Sequence, residues 1–377
     1  MQPYPHQTDI HHQAKTILDA NGIVALSMEE RTGKSLIALM LAESSTASNI
    51  LILTKKKALP GWQEHLDQYP VTKQYTLTNY HQVVHLKPSY DMVIFDECHY
   101  VLSGFPKAGK YQKATKAIAH NAQGIYLSAT FSAQSFSQLY HIFDTTKHTP
   151  WPGHKNFYAW VKAAYVYPYT IDISGRQVTR YDRAAPKVFN EAQHLFLSYT
   201  RKELGFTHEP EDVLHYIDLE PAPLKHMKEL KADGITKDKT IVADTQMGLM
   251  VALHKLEGVG NEKTQYILDH YGDKASVCVM AHYVDEQERL AKLFVHATVL
   301  SSTAFAEGVD LSHFETLVIF SQGFSTAQHK QRRARQANIN RATPINVHFL
   351  LVKGGVSDSV YKTVALNGKN FVARYYD

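Results

Sequence analysis

Residues 28–42, MEERTGKSLIALMLA, constrain this chain more than any other stretch. An apolar run, Ile23-Val24-Ala25-Leu26, comes just before and reads as a buried strand; the helix-forming run Leu36 to Ala42 follows. Strand, tight turn, Gly33-Lys34-Ser35 and helix is the build of a phosphate-binding loop. Such a turn points backbone N–H groups at a phosphate. Gly33 lets the backbone approach closely, Lys34 reaches the β- and γ-phosphates, and the Ser35 hydroxyl can hold Mg²⁺. Met28 stands where the consensus has its first glycine.

A second apolar run, Met92-Val93-Ile94-Phe95, leads straight into Asp96-Glu97-Cys98-His99. A strand ending in Asp-Glu supplies the other half of nucleotide chemistry. Asp96 orients Mg²⁺ through its water shell, and Glu97 accepts a proton from the attacking water. Loop and carboxylates both sit at strand C-terminal ends, so a parallel sheet brings them together. Asn49 to Thr54 reads as another strand, followed by Lys55-Lys56-Lys57, and Gly124 to Leu127 as one ending in Ser128-Ala129-Thr130. The three lysines fall where open α/β sheets bind ligands; a solvated turn is the alternative. Trp62 and Leu66, four apart, pack the intervening helix on the sheet. Lys107, Lys110, Lys113 and Lys116 recur every three residues over a helix-like segment. They form either a basic stripe facing a phosphate backbone or a solvated helix face.

At 377 residues the chain exceeds what one core usually serves, so two domains are expected. A net charge of +4 permits a nucleic-acid partner without demanding one. The two cysteines, Cys98 and Cys278, form no CxxC pair, which argues against zinc and suits a reducing cytoplasm. The N-terminus has neither a basic nor an apolar leader region, and no run approaches the length of a membrane span. The 22 histidines lack HExxH spacing and read as surface or packing residues.

The GKS loop, the DECH tetrapeptide and Ser-Ala-Thr, in this order and spacing, resemble the superfamily-two helicases. The details are similar to Swi/Snf-type ATPases and their compact phage relatives. Pro3-Tyr4-Pro5-His6-Gln7, ahead of a helical pattern at Ile10, Ala14, Ile17 and Leu18, resembles that family's adenine-reading segment. Residues 51–65, with Thr54 and Trp62, resemble the segment that ends in a tryptophan, and Thr78-Asn79-Tyr80 the one carrying Asn/Ser-Tyr. Tyr199-Thr200-Arg201-Lys202-Glu203 falls where such chains carry a basic signature before their second domain. In the second half, Glu307-Gly308-Val309-Asp310-Leu311 resembles the segment touching both nucleic acid and nucleotide. Gln328, Arg332 and Arg335 match the closing glutamine and two arginines, with Gln331 replacing the usual glycine. On a helix over 328–335 these three share one face, while Arg333 points about 100° away from Arg332.

The resemblance implies an α/β fold of two RecA-like parallel-sheet domains with an ATP cleft between them. Domain 1 would span 1–142 and domain 2 206–377. The stretch 143–205 is rich in tyrosine and carries Trp151 and Trp160 without strand alternation, and reads as a linking or inserted, partly helical segment. The implied cofactors are ATP and Mg²⁺. Gln7, Glu30, Arg31, Thr32, Gly33, Lys34, Ser35, Gly308 and Asp310 would bind the nucleotide, with Ser35 and Asp96 on the metal. Lys34, Asp96, Glu97, Arg332 and Arg335 would carry hydrolysis. Lys55, Lys56, Lys57, Asn79, Tyr80, Lys110, Lys113, Ser302 and Thr303 would meet DNA, and Ser128, Thr130 and Gln328 would couple the two events. The expected activity is an ATP-dependent helicase or translocase on duplex or branched DNA. It would act in replication, recombination or repair in a bacterial or phage-infected cytoplasm, with proteins of those processes as candidate partners. An RNA-dependent ATPase is the rival within the superfamily, disfavoured because no Pro-Thr-Arg-Glu-Leu follows the second strand. A nucleotide- and DNA-binding scaffold without turnover would not be expected to keep Lys34, Asp96, Glu97 and Arg335. A metal-dependent nuclease lacks a spare carboxylate–histidine cluster.

Overall fold

The computed structural model describes all residues except 1, 88, 133–134, 174–175, 302–310, 342, 369–370 and 372–377; the side chains of 173, 327, 328, 330, 331 and 335 are also outside the description. The chain divides into two units, Met1–Leu204 and Gly205–Asp377.

In the first unit, helix α1 (Pro5–Asn21) leads into β1 (Ile23–Met28), the phosphate-loop turn and α2 (Lys34–Ser44). Then come β2 (Asn49–Thr54), α3 (Leu59–Gln68), β3 (Gln74–Asn79), β4 (Met92–Phe95), α4 (His99–Leu102), α5 (Lys110–Ala119) and β5 (Gln123–Ser128). A hairpin of β6 (Tyr169–Ile173) and β7 (Arg176–Arg180) precedes β8 (Phe196–Tyr199). Six strands form one all-parallel sheet in the order β3-β2-β4-β5-β1-β8. Its central strands are apolar throughout and α2 is buried along most of its length, as expected where helices cover both faces.

Residues 143–204 belong to this unit's structure. Trp151, Phe157, Trp160, Val188 and Leu195 lie in the same buried cluster as Phe95, Tyr126 and Phe143, and β8 pairs with β1 from Ala25↔Phe196 to Met28↔Tyr199. Four residues are too few for alternation to show in sequence, and β8 is made a strand by its neighbour rather than by its own pattern.

The second unit repeats the parallel theme with β9 (Pro210–Tyr216), β10 (Val277–Ala281), β11 (Thr298–Ser301), β12 (Thr316–Ile319) and β13 (Ile345–Leu351), ordered β11-β10-β12-β13-β9. One apolar cluster around Val279, Leu290 and Val318 covers one side, and another around Leu230, Leu253 and Val360 gathers the remaining helices. The closing helix runs Thr326–Arg333 and tightens into a 3₁₀ turn at Ala334–Gln336. A continuous helix over 328–335 is therefore corrected: Arg335 lies past the α-helical register, and the 100° phase argument stops at Arg333. Among the described residues, no helix is long and apolar enough to cross a membrane.

All three tryptophans fall in the first unit, so indole fluorescence reports on that unit alone. Trp160→Ala removes a fully buried side chain, and the first unit is expected to lose about 3–5 kcal/mol. Denaturant unfolding followed by the fluorescence of Trp62 and Trp151 checks this. An unchanged midpoint would return 143–205 to the status of an appended segment.

Candidate nucleotide site

Everything in the first unit's site hangs from the C-terminal ends of β1, β2, β4 and β5. β4 and β1 each pair with β5, so the turn after β1 and the carboxylates after β4 emerge at one sheet edge. Gly33 is the αL residue that starts α2, at φ +83°, and an added Cβ would stand 1.9 Å from Gln7 Nε2. Glycine is required there twice, for backbone sign and for space. Arg31 also takes positive φ, at +69°. Thr32 is buried and donates to the Glu29 carbonyl at 2.7 Å, which braces the turn from inside. Ser35 is half-buried in the first turn of α2.

Lys34 extends its ammonium under this turn and donates to the carbonyl oxygens of Met28 (2.8 Å) and Glu29 (2.7 Å). Burial pushes its pKa down, while the charges of Glu97, Glu30 and Asp96 favour the ammonium and that of Arg201 opposes it. Asp96 accepts hydrogen bonds from Thr54 Oγ1 (2.6 Å) and Trp62 Nε1 (2.8 Å). Burial, then Glu97 next to it, raise the Asp96 pKa, and those two hydrogen bonds oppose the rise. Trp62 thus does more than pack α3 on the sheet, since its indole N–H fixes a carboxylate rotamer. Glu97 sits at φ +48°, a backbone region that non-glycine residues rarely occupy. His99 Nδ1 is 3.4 Å from a Glu97 carboxylate oxygen and 2.8 Å from Ser128 Oγ, and Ser128 Oγ accepts from the Thr130 N–H at 2.9 Å. Ser128 and Thr130 are therefore wired to Glu97 through His99.

Gln7 stays against the phosphate loop, while most of the residues expected at DNA stand elsewhere. Gln7 is 5% exposed and spends its Oε1 on the Tyr4 N–H at 2.8 Å, closing the start of α1 against the phosphate loop. Tyr80, expected at DNA, is 1% exposed and donates its hydroxyl to the Asp96 carbonyl, so its ring has no free face for a base. Asn79 is also buried and accepts from the His81 N–H. Lys55 is buried too, with its ammonium 4.9 Å from the Tyr100 ring centre; Lys56 and Lys57 are exposed. Of the basic stripe, Lys107 precedes α5, Lys110 and Lys113 are exposed on it, and Lys116 pairs with Asp144 at 2.6 Å. Ser302, Thr303, Gly308 and Asp310 lie outside the described residues, as do the side chains of Gln328 and Arg335.

Arg201 was not among the expected site residues. Its N–H donates to Glu29 Oε2 at 2.7 Å, and its guanidinium lies 3.8 Å from carboxylate oxygens of both Glu29 and Glu30. No local pattern signals a partner about 170 residues away. His99 could have been found as the fourth residue of the DECH tetrapeptide.

In the second unit, Arg332 is 1% exposed, and among the described residues none of its three guanidinium nitrogens has a hydrogen-bond partner. Burial brings its pKa to about 10, which leaves it charged at neutral pH. His282, pushed down to about 4 by burial and then by the Arg332 charge, offers it no counter-ion. Arg333 is placed differently: its Nε lies 2.6 Å from Asp212 Oδ1 on β9, and its guanidinium also donates to the Pro210 carbonyl.

No family model matches this chain, and no curated protein matches it. Among solved structures it is similar to the Sulfolobus solfataricus SWI2/SNF2 ATPase core in complex with dsDNA, at 14% identity over 97% of this chain and 92% of that chain, with a TM-score of 0.44. It is also similar to the Sulfolobus solfataricus SWI2/SNF2 ATPase core domain, at 13% identity over 97% and 90%, with a TM-score of 0.42. Likeness at this level leaves the functional reading to rest on the geometry of the site.

The Asp212 contact changes what is expected of Arg333. Arg333→Ala leaves a nearly buried carboxylate with the Tyr361 hydroxyl and, at 3.8 Å, His329 Nε2, and the second unit should lose roughly 1–3 kcal/mol. Far-UV circular dichroism against denaturant measures it. A variant with unchanged stability but weakened DNA affinity would instead make Arg333 a nucleic-acid contact.

Proposed function

We propose that the chain hydrolyses Mg²⁺-ATP and uses the cycle to move on DNA, in replication, recombination or repair. The observation that carries the reading is the placement of Lys34, Asp96 and Glu97 at one edge of one parallel sheet, with the half-buried lysine in the field of both carboxylates. The residues fit the ligand. Gly33 opens α2 at the end where free backbone N–H groups receive a phosphate, the Lys34 ammonium is held by neutral carbonyls that an anion outbids, and Ser35 and Asp96 are oxygen donors of the kind Mg²⁺ prefers. When bound, Mg²⁺ neutralises charge on the phosphates. Lys34 transfers its hydrogen bonds from the Met28 and Glu29 carbonyls to phosphate oxygen. Thr54 and Trp62 fix the Asp96 carboxylate, which with Ser35 would hold the Mg²⁺, and Glu97 would receive the proton of the attacking water on its carboxylate. The His99–Ser128–Thr130 chain reports the state of Glu97 to the end of β5. In the second unit, Arg332 is a buried cation with no hydrogen-bond partner among the described residues, a charge of the kind an anionic ligand would take up.

ATP hydrolysis measured in parallel with single-stranded, duplex and forked DNA and with RNA tests the proposal. DNA should stimulate turnover. Stimulation by RNA alone would make this an RNA-dependent ATPase, and binding without turnover would make it a scaffold. Lys34→Ala is expected to abolish hydrolysis with the fold intact. Glu97→Gln should bind Mg²⁺-ATP yet hydrolyse it very slowly, since an amide cannot take the proton. Equal loss of nucleotide binding in both variants would make Glu97 structural.

DNA binding should be nearly blind to sequence and steep in salt, because the exposed Lys56, Lys57, Lys110 and Lys113 can only neutralise phosphates. Each contact contributes roughly 0.9 to the slope of log K against log salt on duplex DNA. Replacing Lys110 and Lys113 with Ala should lower that slope by about 2. An unchanged slope returns α5 to the role of a solvated helix.

A further inference from the structure

The phosphate loop of this chain carries two carboxylates where an anion is to be received. Residues 28–35 hold Glu29 and Glu30 against Arg31 and Lys34, a balance of zero before Asp96 and Glu97 are counted. A turn of that composition gives a triphosphate no net attraction, and the nearby acidic side chains would repel it.

Arg201 alters the balance. It comes from the turn after β8, which lies beside β1 in the sheet, and its position there is fixed by backbone pairing: the Glu29 N–H donates to the Tyr199 carbonyl at 3.2 Å. The Arg201 N–H donates to Glu29 Oε2, and one guanidinium nitrogen lies 3.5 Å from the Glu30 carbonyl. The guanidinium stands between the two carboxylates at 3.8 Å from each, in a position 8% exposed. Its charge reaches Lys34, whose ammonium it disfavours. An arginine this buried keeps its charge, and weak screening lets that charge act over several ångströms.

We propose that Arg201 is a positioning residue of the nucleotide site: it neutralises Glu29 and Glu30, holds their side chains off the phosphate path, and sets the affinity of the loop for a nucleoside triphosphate. With Arg201 the loop carries a net charge of +1 rather than zero. Because Arg201 lies three residues before the boundary at Leu204, the same contact ties the exit of the first unit to the phosphate loop. The inference rests on the proposed nucleotide binding and adds a residue to it that the phosphate-loop motif does not contain.

The test is the binding of a fluorescent ATP analogue with Mg²⁺ to the full chain, with indole fluorescence confirming that the first unit is folded. Arg201→Ala should weaken binding by roughly tenfold or more, the scale of a lost charge-assisted contact. Arg201→Lys, which keeps the charge, should stay within about threefold of the wild type. The decisive variant combines Arg201→Ala with Glu29→Gln and Glu30→Gln. Removing the carboxylates that need neutralising should restore affinity to within about threefold of the wild type. Glu29→Gln in the presence of Arg201 should bind at least as tightly as the wild type, and this holds even if Arg201→Ala fails to fold. Wild-type affinity in Arg201→Ala overturns the inference and leaves the nucleotide site standing. Weak binding that persists in the triple variant also overturns it, because Arg201 would then act through packing. A wild-type chain that binds no nucleotide overturns both readings.

Discussion

The first unit depends on the parallel register that sets β4, β5 and β1 side by side. With Ala25 opposite Tyr126 and Phe95 opposite the same residue, the three strands run side by side in one direction, and whatever follows them is delivered to one edge. A parallel ladder needs a covered crossover between each pair, so both faces of the central strands are buried and those strands are mostly apolar. Polar chemistry is left only the strand ends. Lys34, Asp96 and Ser128 stand together because the backbone between them cannot be solvated.

Two cations of this chain illustrate how burial prepares a charge for use. Lys34 has neutral carbonyl partners and carboxylates nearby, so its ammonium survives desolvation without being consumed in a tight ion pair. Arg332 goes further, buried with no hydrogen-bond partner among the described residues. Leaving a guanidinium so is costly to stability. Arg333, one residue on, is neutralised by Asp212 and serves the fold. Adjacent arginines on one helix are thus partnered differently, Arg333 by Asp212 and the Pro210 carbonyl and Arg332 by no described group.

Packing and chemistry are joined most directly at Asp96. Its two hydrogen-bond donors come from the end of β2 and from the middle of α3, so the seating of that helix determines where the carboxylate points. Below it, Phe95 stacks on Tyr126 with ring centres 4.6 Å apart, and Tyr126 meets Phe143 edge to face. The aromatic cluster continues into Trp151, Trp160 and Tyr165. A segment with no strand or helix signature thereby supports the floor of the site.

By itself, the sequence determined what short-range physics can encode. Residues 23–42 could hardly read otherwise, since strand, glycine turn, lysine and helix are contiguous and each fixes its neighbour's conformation. Asp96-Glu97 after an apolar run was equally legible, and the parallel sheet followed from both motifs needing strand ends. Tertiary structure decided whatever depends on partners distant along the chain. Lys55, Asn79 and Tyr80 have the residue types of a nucleic-acid face but are buried, because their strand ends tuck under α3, α4 and the Asp96 turn. Strand β8 is too short to announce itself and exists through its pairing with β1. The helix carrying Arg332 tightens to 3₁₀ before Arg335, which no side-chain pattern records. Arg201 meets Glu29 and Glu30 only because β8 closes the sheet edge beside β1, and such a contact has no local signature: its energy lies in the geometry of two strands, not in the order of their residues.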